Sequence, residues 1–262
     1  MSGGATEDAP RGGEADRLGR NLGRVRARIE AAALRARRDP RDILLVAVTK
    51  YVDARIVKIL YDLGHRDFGE STVQGLASKA AALGRLDGAR WHLVGHLQRN
   101  KAAKALRLAE SIHSLDSERL LDEIVSQAAR RGLALPELWV EVNVSREPQK
   151  TGLDPEALGA LLAAARRKLP PRPDGTPGPE PASSASVAGL MTLAPYAEDP
   201  EAARPHFRRL RELRDACASE GLLPPGAGLS MGMSGDFEVA VEEGATAVRV
   251  GSAIFEGLVP GP

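Results

Sequence analysis

Lys50 ends a run in which Leu44, Val46 and Val48 fall on one side of an extended chain of period two. A charged side chain therefore continues an apolar lane at the point where a strand leaves its sheet. Parallel α/β sheets bind ligands at the carboxyl ends of their strands. A lysine there, partly desolvated, has its pKa drawn below the usual value of about 10.4 and can attack a carbonyl to give a Schiff base. A lysine that snorkels or pairs with an acid at the start of a loop fits the same pattern, so Lys50 alone assigns no chemistry.

Two later segments, residues 229–236 (Leu-Ser-Met-Gly-Met-Ser-Gly-Asp) and 246–252 (Thr-Ala-Val-Arg-Val-Gly-Ser), could supply its company. Each reads as a crossing from strand to helix. Ser234 and Ser252 stand where a helix N-cap belongs, so a hydroxyl and free backbone N–H groups would point at one spot, an arrangement that suits a phosphate. Either serine could instead serve only its own helix. Arg249 alternates with the small residues Ala247 and Gly251 while Val248 and Val250 take the other face, which gives it room to reach a ligand; a buried ion pair is the other reading. Gly228, Gly232 and Gly235 do not have the G-x-G-x-x-G spacing of a dinucleotide site.

Elements that could bring these residues together are legible along the chain. Strand-like apolar runs fall at 43–48, 67–69, 91–94, 111–114, 138–144, 187–191, 229–231 and 245–250, with helical patterns between them. Asp53 ahead of Ile56, Ile59, Leu60 and Leu63 with Gly64 as stop marks one helix; Asp154-Pro155 and Asp199-Pro200 open others. Such alternation implies a parallel sheet. Eight repeats in 262 residues suit one (β/α)8 barrel, although a doubly wound open sheet would show the same local pattern. Closure would set strand eight beside strand one, making the anion site a neighbour of Lys50; an open sheet need not do so.

Hydrophobic residues make up 43% of the chain and aromatics only 3%, so Leu, Val, Ile and Ala must fill the core, as in helix-covered parallel strands. With 36 basic and 35 acidic side chains the net charge is +1, which gives no general attraction to nucleic acid or an anionic membrane. The single cysteine, Cys217, excludes an internal disulfide; it shares a helix face with Leu210 and Leu213 and reads as a core residue. With no signal or membrane segment in view, a cytoplasmic protein is expected. Residues 1–13 read as a disordered leader and 14–262 as the barrel, with a Pro/Gly/Ser-rich surface insertion at 170–186. An amphipathic helix carrying Leu18, Leu22, Val25 and Ile29 runs to about Arg38 and precedes the first strand.

Along these residues the chain resembles the pyridoxal 5′-phosphate (PLP) homeostasis protein family. The resemblance extends from about Leu44 to Gly257 through Ala47-Val48-Thr49-Lys50, Phe68-Gly69-Glu70, the Trp91 to Lys101 segment and Ser114-Leu115-Asp116. It continues through Val142-Asn143-Val144-Ser145, Lys150-Thr151-Gly152, Gly189-Leu190-Met191, the Leu229 to Ser234 segment and Val248-Arg249-Val250-Gly251. It implies a single α/β TIM barrel like the N-terminal domain of alanine racemase, here with an extra N-terminal helix, that binds PLP, the active form of vitamin B6. Lys50 matches the PLP lysine, Ser234, Gly251 and Ser252 the phosphate-binding positions, and Arg249 the arginine facing the pyridine nitrogen. A permanently protonated arginine there keeps that nitrogen unprotonated and disfavours carbanion chemistry.

The chain departs from the family where Gly-Glu-Asn usually follows strand two: Ser71 stands third, a shorter side chain that would reach PLP through water, and Gln74-Gly75 replaces Gln-Glu. His92 and His96 do not share a helix face, so no metal site is expected; His92 lines the pocket or simply hydrogen-bonds, and His65, His113 and His206 read as surface or satisfied core residues. Arg204, Arg208, Arg209, Arg211 and Arg214, interleaved with Glu212 and Asp215, read as a solvated helix face.

Three functions follow. The first is a PLP carrier that holds the cofactor as a Schiff base on Lys50 and acts in intracellular PLP homeostasis without catalysis. It would be a monomer or weak dimer whose partners are PLP and the PLP-dependent apoenzymes to which it passes the cofactor. The second is a small single-domain amino-acid racemase with Lys50 as its only strong base. The third is a Schiff-base aldolase on a phosphosugar, without PLP. The first is favoured because only Tyr51, Tyr61 and Tyr196 could serve as a second, tyrosine base and none has a matching context.

Overall fold

The computed structural model describes residues 12–169 and 187–258. Eight parallel strands form a closed barrel in chain order: β1 (Leu44–Val48), β2 (Asp67–Glu70), β3 (Arg90–Leu93), β4 (Ser111–Leu115), β5 (Glu137–Glu141), β6 (Val187–Met191), β7 (Gly228–Ser230) and β8 (Ala247–Val250). The seam is a β1–β8 ladder that sets Leu44 beside Ala247 and Val46 beside Arg249. The open-sheet alternative is thereby excluded.

Around the barrel run α1 (Gly12–Arg35), α2 (Ala54–Asp62), α3 (Val73–Leu83), α4 (Ala102–Ala105), α5 (Glu118–Arg131), α6 (Leu158–Lys168), α7 (Arg204–Ser219) and α8 (Phe237–Glu242). Their ends follow local chemistry. Asp53 accepts from the Ile56 N–H at 3.0 Å to start α2, and Asp154 and Asp199 accept from Glu156 and Glu201 ahead of α6 and α7. Gly64 ends α2 at φ +87°, a left-handed turn that glycine adopts without a Cβ clash.

The first helix differs from its predicted bounds at both ends. It already includes Gly12 and Gly13, and it stops at Arg35 because Arg37 turns left-handed (φ 57°) and the Arg38 N–H returns to the Ala33 carbonyl. Its buried stripe is the predicted one: Leu18, Leu22, Val25 and Ile29. This helix fills the place of an eighth barrel helix, because β8 is followed among the described residues only by turns, with Ile254 and Phe255 N–H groups both returning to the Gly251 carbonyl. It packs between α8 and α2. Arg28 forks onto Glu238 at 3.0 and 2.7 Å and lies over the Phe237 ring, Arg38 donates to the Val241 carbonyl, and Asn21 donates to the carbonyls of Ile254 and Glu256.

The arginines of α7 correct the reading of a plain solvated face. Arg204, Arg208 and Arg211 converge on the buried carboxylate of Glu243 at 3.1, 3.3 and 3.1 Å, so they tie α7 to the end of α8. Cys217 is buried in the core, as expected. The predicted leader up to residue 11 and the 170–186 insertion lie outside the described residues. Among the described residues no helix is long and apolar enough to cross a membrane.

Most of the core lies between strands and helices and is aliphatic. The barrel interior is different. A small apolar group of Trp139, Met191 and Ala247 with Leu44 fills part of it, and the rest is polar. Gly69 lets the lane of Val46 and Val48 pack closely: a Cβ at Gly69 would lie 2.9 Å from a Val46 methyl and 3.5 Å from one of Val48.

Candidate functional site

All eight strands point the same way, so their carboxyl ends form one mouth, and Lys50 stands on it two residues past β1. The lane of Val46 and Val48 leads to it, as predicted, but runs off the rim. Lys50 is exposed, with Nζ 4.5 Å from the centroid of the Tyr51 ring, so the partial desolvation expected from the strand pattern is absent. It makes no hydrogen bond or ion pair among the described residues.

The residue before it is held tightly. Lys79 of α3, nearly buried, donates to the Thr49 carbonyl at 2.6 Å and pairs with Glu70, whose carboxylate also accepts the Thr49 hydroxyl at 2.6 Å. Sequence reasoning missed this clamp. Its signal was the replacement at Gly75: a Cβ there would lie 2.8 Å from Glu70 Oε2, so glycine leaves Glu70 its position facing Lys79.

Ser234 acts otherwise than as the cap of its own helix. Its Oγ accepts from the N–H groups of Gly251 and Ala253, both at 3.2 Å, and so bridges the loop after β7 to the turn after β8. The cap position of α8 belongs to Asp236, which makes no capping bond there and accepts the Met233 N–H instead at 2.6 Å; burial raises its carboxyl pKa. The cause is Gly232, left-handed at φ +93°, where a Cβ would fall 2.6 Å from that of Ala240 and 2.9 Å from Phe237 Cα. The loop thus folds against α8 and carries Ser234 across to β8. Ser252 is exposed in a turn with no helix after it, which corrects its reading as a helix cap.

Two N–H groups converge on one hydroxyl oxygen in a cradle that joins the loops after β7 and β8. Ser234 Oγ keeps its own hydrogen free to donate. Gly251 sits where a Cβ would lie 3.0 Å from the Val48 carbonyl, so the cradle is pressed against the end of β1, on the strand that leads to Lys50.

Below the cradle Arg249 is buried inside the barrel, donating to Ser230 Oγ at 2.5 Å and to the Thr192 carbonyl at 2.8 Å. Burial pulls its guanidinium down to about 10, with Glu141 and Asp236 opposing, so it remains a cation at neutral pH. Among the described residues no carboxylate pairs with it directly, which sets aside the simple ion-pair reading. Glu141, also buried, accepts from Thr151 at 2.6 Å and has its pKa raised by desolvation.

Ser71 lies half-buried after β2, its backbone carbonyl in close contact with Gly95, where any side chain would strike it. Its hydroxyl has no partner among the described residues. The histidines separate. His92 and His113 lie inside the barrel; His96, on the mouth, is 3.3 Å from Asp116; His65 is buried with Nε2 2.8 Å from the Asp67 carbonyl. Among the described residues no three His, Cys, Asp or Glu side chains are placed to hold a metal. A broad cavity opens at the opposite, amino-terminal end of the barrel. Several of its arginines already have partners: Arg38 on the Val241 carbonyl, Arg66 on Tyr61, Arg90 on Asp67 and Arg214 on Ala227.

Residues 20–258 match the alanine racemase N-terminal domain family. The chain is 41% identical over 236 residues to the pyridoxal phosphate homeostasis protein of Aquifex aeolicus, covering 89% of this chain and 95% of that one. Among solved structures it superposes on an unknown protein from Bifidobacterium adolescentis with a TM-score of 0.79 at 33% identity, covering 95% and 98% of the two chains. It also superposes on PipY of Synechococcus elongatus with PLP bound, with a TM-score of 0.73 at 32% identity, covering 91% and 99%.

Proposed function

The chain belongs to the pyridoxal phosphate homeostasis protein family, on a barrel of the alanine racemase N-terminal type, and from that premise we propose how its own residues hold the cofactor. It is a PLP-binding protein of PLP homeostasis. The Ser234 hydroxyl, oriented by the Gly251 and Ala253 N–H groups that donate to it, would donate to the phosphate with Ser252 on the rim, and Arg249 would face the ring nitrogen. Lys50, whose amine suits covalent attachment to an aldehyde, would hold the cofactor by that group. PLP supplies, when bound, that aldehyde and an electron-withdrawing ring.

The observation that carries this reading is the cradle: two backbone N–H groups converge on Ser234 Oγ, above the buried Arg249 and against the end of the strand that leads to Lys50. The donor set suits a phosphate dianion at one end and an uncharged nitrogen at the other. Ser71, whose hydroxyl is unpartnered, reaches the ring side through a water.

The same residues favour holding over catalysis. Arg249 keeps its proton at neutral pH, so it cannot give the ring nitrogen the positive charge that would stabilise a carbanion. Among the tyrosines Tyr196 is 94% exposed and Tyr61 donates to the Asp87 carbonyl away from the mouth, so a second, tyrosine base would have to be the exposed Tyr51 beside Lys50. The exposed position of Lys50 suits release of the cofactor to PLP-dependent apoenzymes in the cytoplasm.

The test is spectroscopic. Purified protein reconstituted with PLP should absorb at about 420 nm, as a lysine-bound cofactor does, and Lys50→Ala should lose that band. Incubation with single-enantiomer amino acids in D2O should give no α-proton exchange. Efficient exchange would replace the carrier reading with the racemase one, and an unchanged band in the variant would move the attachment to another lysine.

A further inference from the structure

Inside the barrel a row of polar side chains runs from the amino-terminal end to Arg249. Asp67, the first residue of β2, pairs with Arg90 at 2.7 Å and lies 3.0 Å from His92 Nε2. His92 Nδ1 is 3.3 Å from His113 Nε2, His113 Nδ1 is 2.9 Å from Ser230 Oγ, and Ser230 Oγ is 2.5 Å from Arg249 Nη1. His113 stacks on Trp139, ring centroids 5.1 Å apart and planes within 14°, so it cannot swing freely. All the inner members are buried.

The direction of the hydrogen bonds in this row follows from the needs of the Ser230 hydroxyl. Arginine has donors only, so Ser230 Oγ accepts from Arg249, and His113 Nδ1 is the acceptor within reach of its single hydrogen. His113 then carries its proton on Nε2 and donates to His92 Nδ1. His92 in turn carries its proton on Nε2 and donates to Asp67, which as a carboxylate only accepts, from His92 and from Arg90 alike. Four bonds point one way, from the cation at the mouth to the anion at the floor. Reversing the His113–Ser230 link would leave the buried Ser230 hydrogen without an acceptor among the described residues, which costs more than the bond contributes.

We propose that Asp67, His92, His113 and Ser230 are positioning residues that fix Arg249 as a one-way donor beneath the cofactor ring. The assignment rests on the PLP reading above for what lies over Arg249, while the geometry of the row stands by itself. Ser230 Oγ and the Thr192 carbonyl hold the guanidinium by Nη1 and Nη2, leaving its remaining hydrogens for the ligand side. The charged groups around the row are Arg90 and Asp67 at its foot and Glu141 and Asp236 near its head.

Nitrogen-15 correlation spectra of the imidazoles in PLP-free protein at about pH 7 should show His92 and His113 both neutral and both protonated on Nε2. PLP affinity, followed by tryptophan fluorescence, should fall about tenfold in Ser230→Ala and recover to within about twofold in Ser230→Thr, which restores the hydroxyl. His92→Phe, which cuts the row farther from Arg249, should lower affinity by a smaller factor and shift the His113 nitrogen signals. Either histidine protonated on Nδ1, or cationic, would overturn the proposal. So would a Ser230→Ala protein that loses thermal stability but keeps wild-type PLP affinity, since that is what a merely structural row predicts. Wild-type protein that fails to take up PLP at all would instead overturn the cofactor reading, and the nitrogen spectra would still report on the row.

Discussion

Two lysines reach the upper end of β1, and the fold treats them in opposite ways. Lys79 is nearly buried, bonded to the Thr49 carbonyl and paired with Glu70. Lys50, the next residue after Thr49, is exposed and touches only the Tyr51 ring. A buried ammonium with a carboxylate and a carbonyl around it is committed to structure, because removing either partner strands a charge in a poor solvent. An ammonium at the rim stays open to solvent and to a ligand. The clamp steadies the backbone that carries it.

The contrast breaks most sharply if each lysine is removed in turn. Lys50→Ala should abolish lysine-bound PLP altogether, seen as loss of cofactor on gel filtration after borohydride treatment, yet leave unfolding free energy within about 0.5 kcal/mol of wild type. Lys79→Met should do the reverse in kind, costing about 3–5 kcal/mol in urea unfolding because Glu70 is left buried and unpaired, and Lys79→Met with Glu70→Gln should recover much of that loss. Acid extends the comparison to a buried group whose desolvation outweighs the nearby Asp67 charge. Desolvation draws His65 down to about 4 from its ordinary 6.5, so the folded chain refuses a proton that the unfolded chain takes up. Its contribution is complete above about pH 6.5 and lost as the pH falls to 4, a decline of about 3 kcal/mol that His65→Gln should remove from the pH profile of stability. The smallest effect belongs to the cradle: Ser234→Ala should weaken PLP or inorganic phosphate binding about tenfold, by titration calorimetry, since the two N–H groups remain and only the hydroxyl is lost.

The sequence made the barrel legible because its signals are local and repeated. Inward lanes of period two, aspartate caps such as Asp53 and the left-handed Gly64 each act within a few residues. Arg249 was legible for the same reason, its small neighbours showing in the strand itself. What stayed hidden is the partner of each polar side chain across the barrel. His113 read as a satisfied core residue, which it is, but its partners lie 21 and 117 residues away on β3 and β7. The inward lanes of those strands did carry a sign, since Asp67, His92, His113 and Ser230 are polar at positions where an aliphatic side chain would suit a plain core. For Ser234 the spacing suggested a cap on its own helix, whereas Gly232 turns the loop so that the hydroxyl serves the turn after β8.

Because α1 takes the place of the eighth helix, the first of the described elements has partners in the last. Asn21 bonds a carbonyl 233 residues later, and Arg28 a carboxylate 210 residues later. Its apolar stripe of Leu18, Leu22, Val25 and Ile29 must therefore wait, uncovered on that flank, until β7, α8 and β8 have been made. Barrel closure and the bridge from Ser234 to the turn after β8 both wait on the same late segment, so they form together.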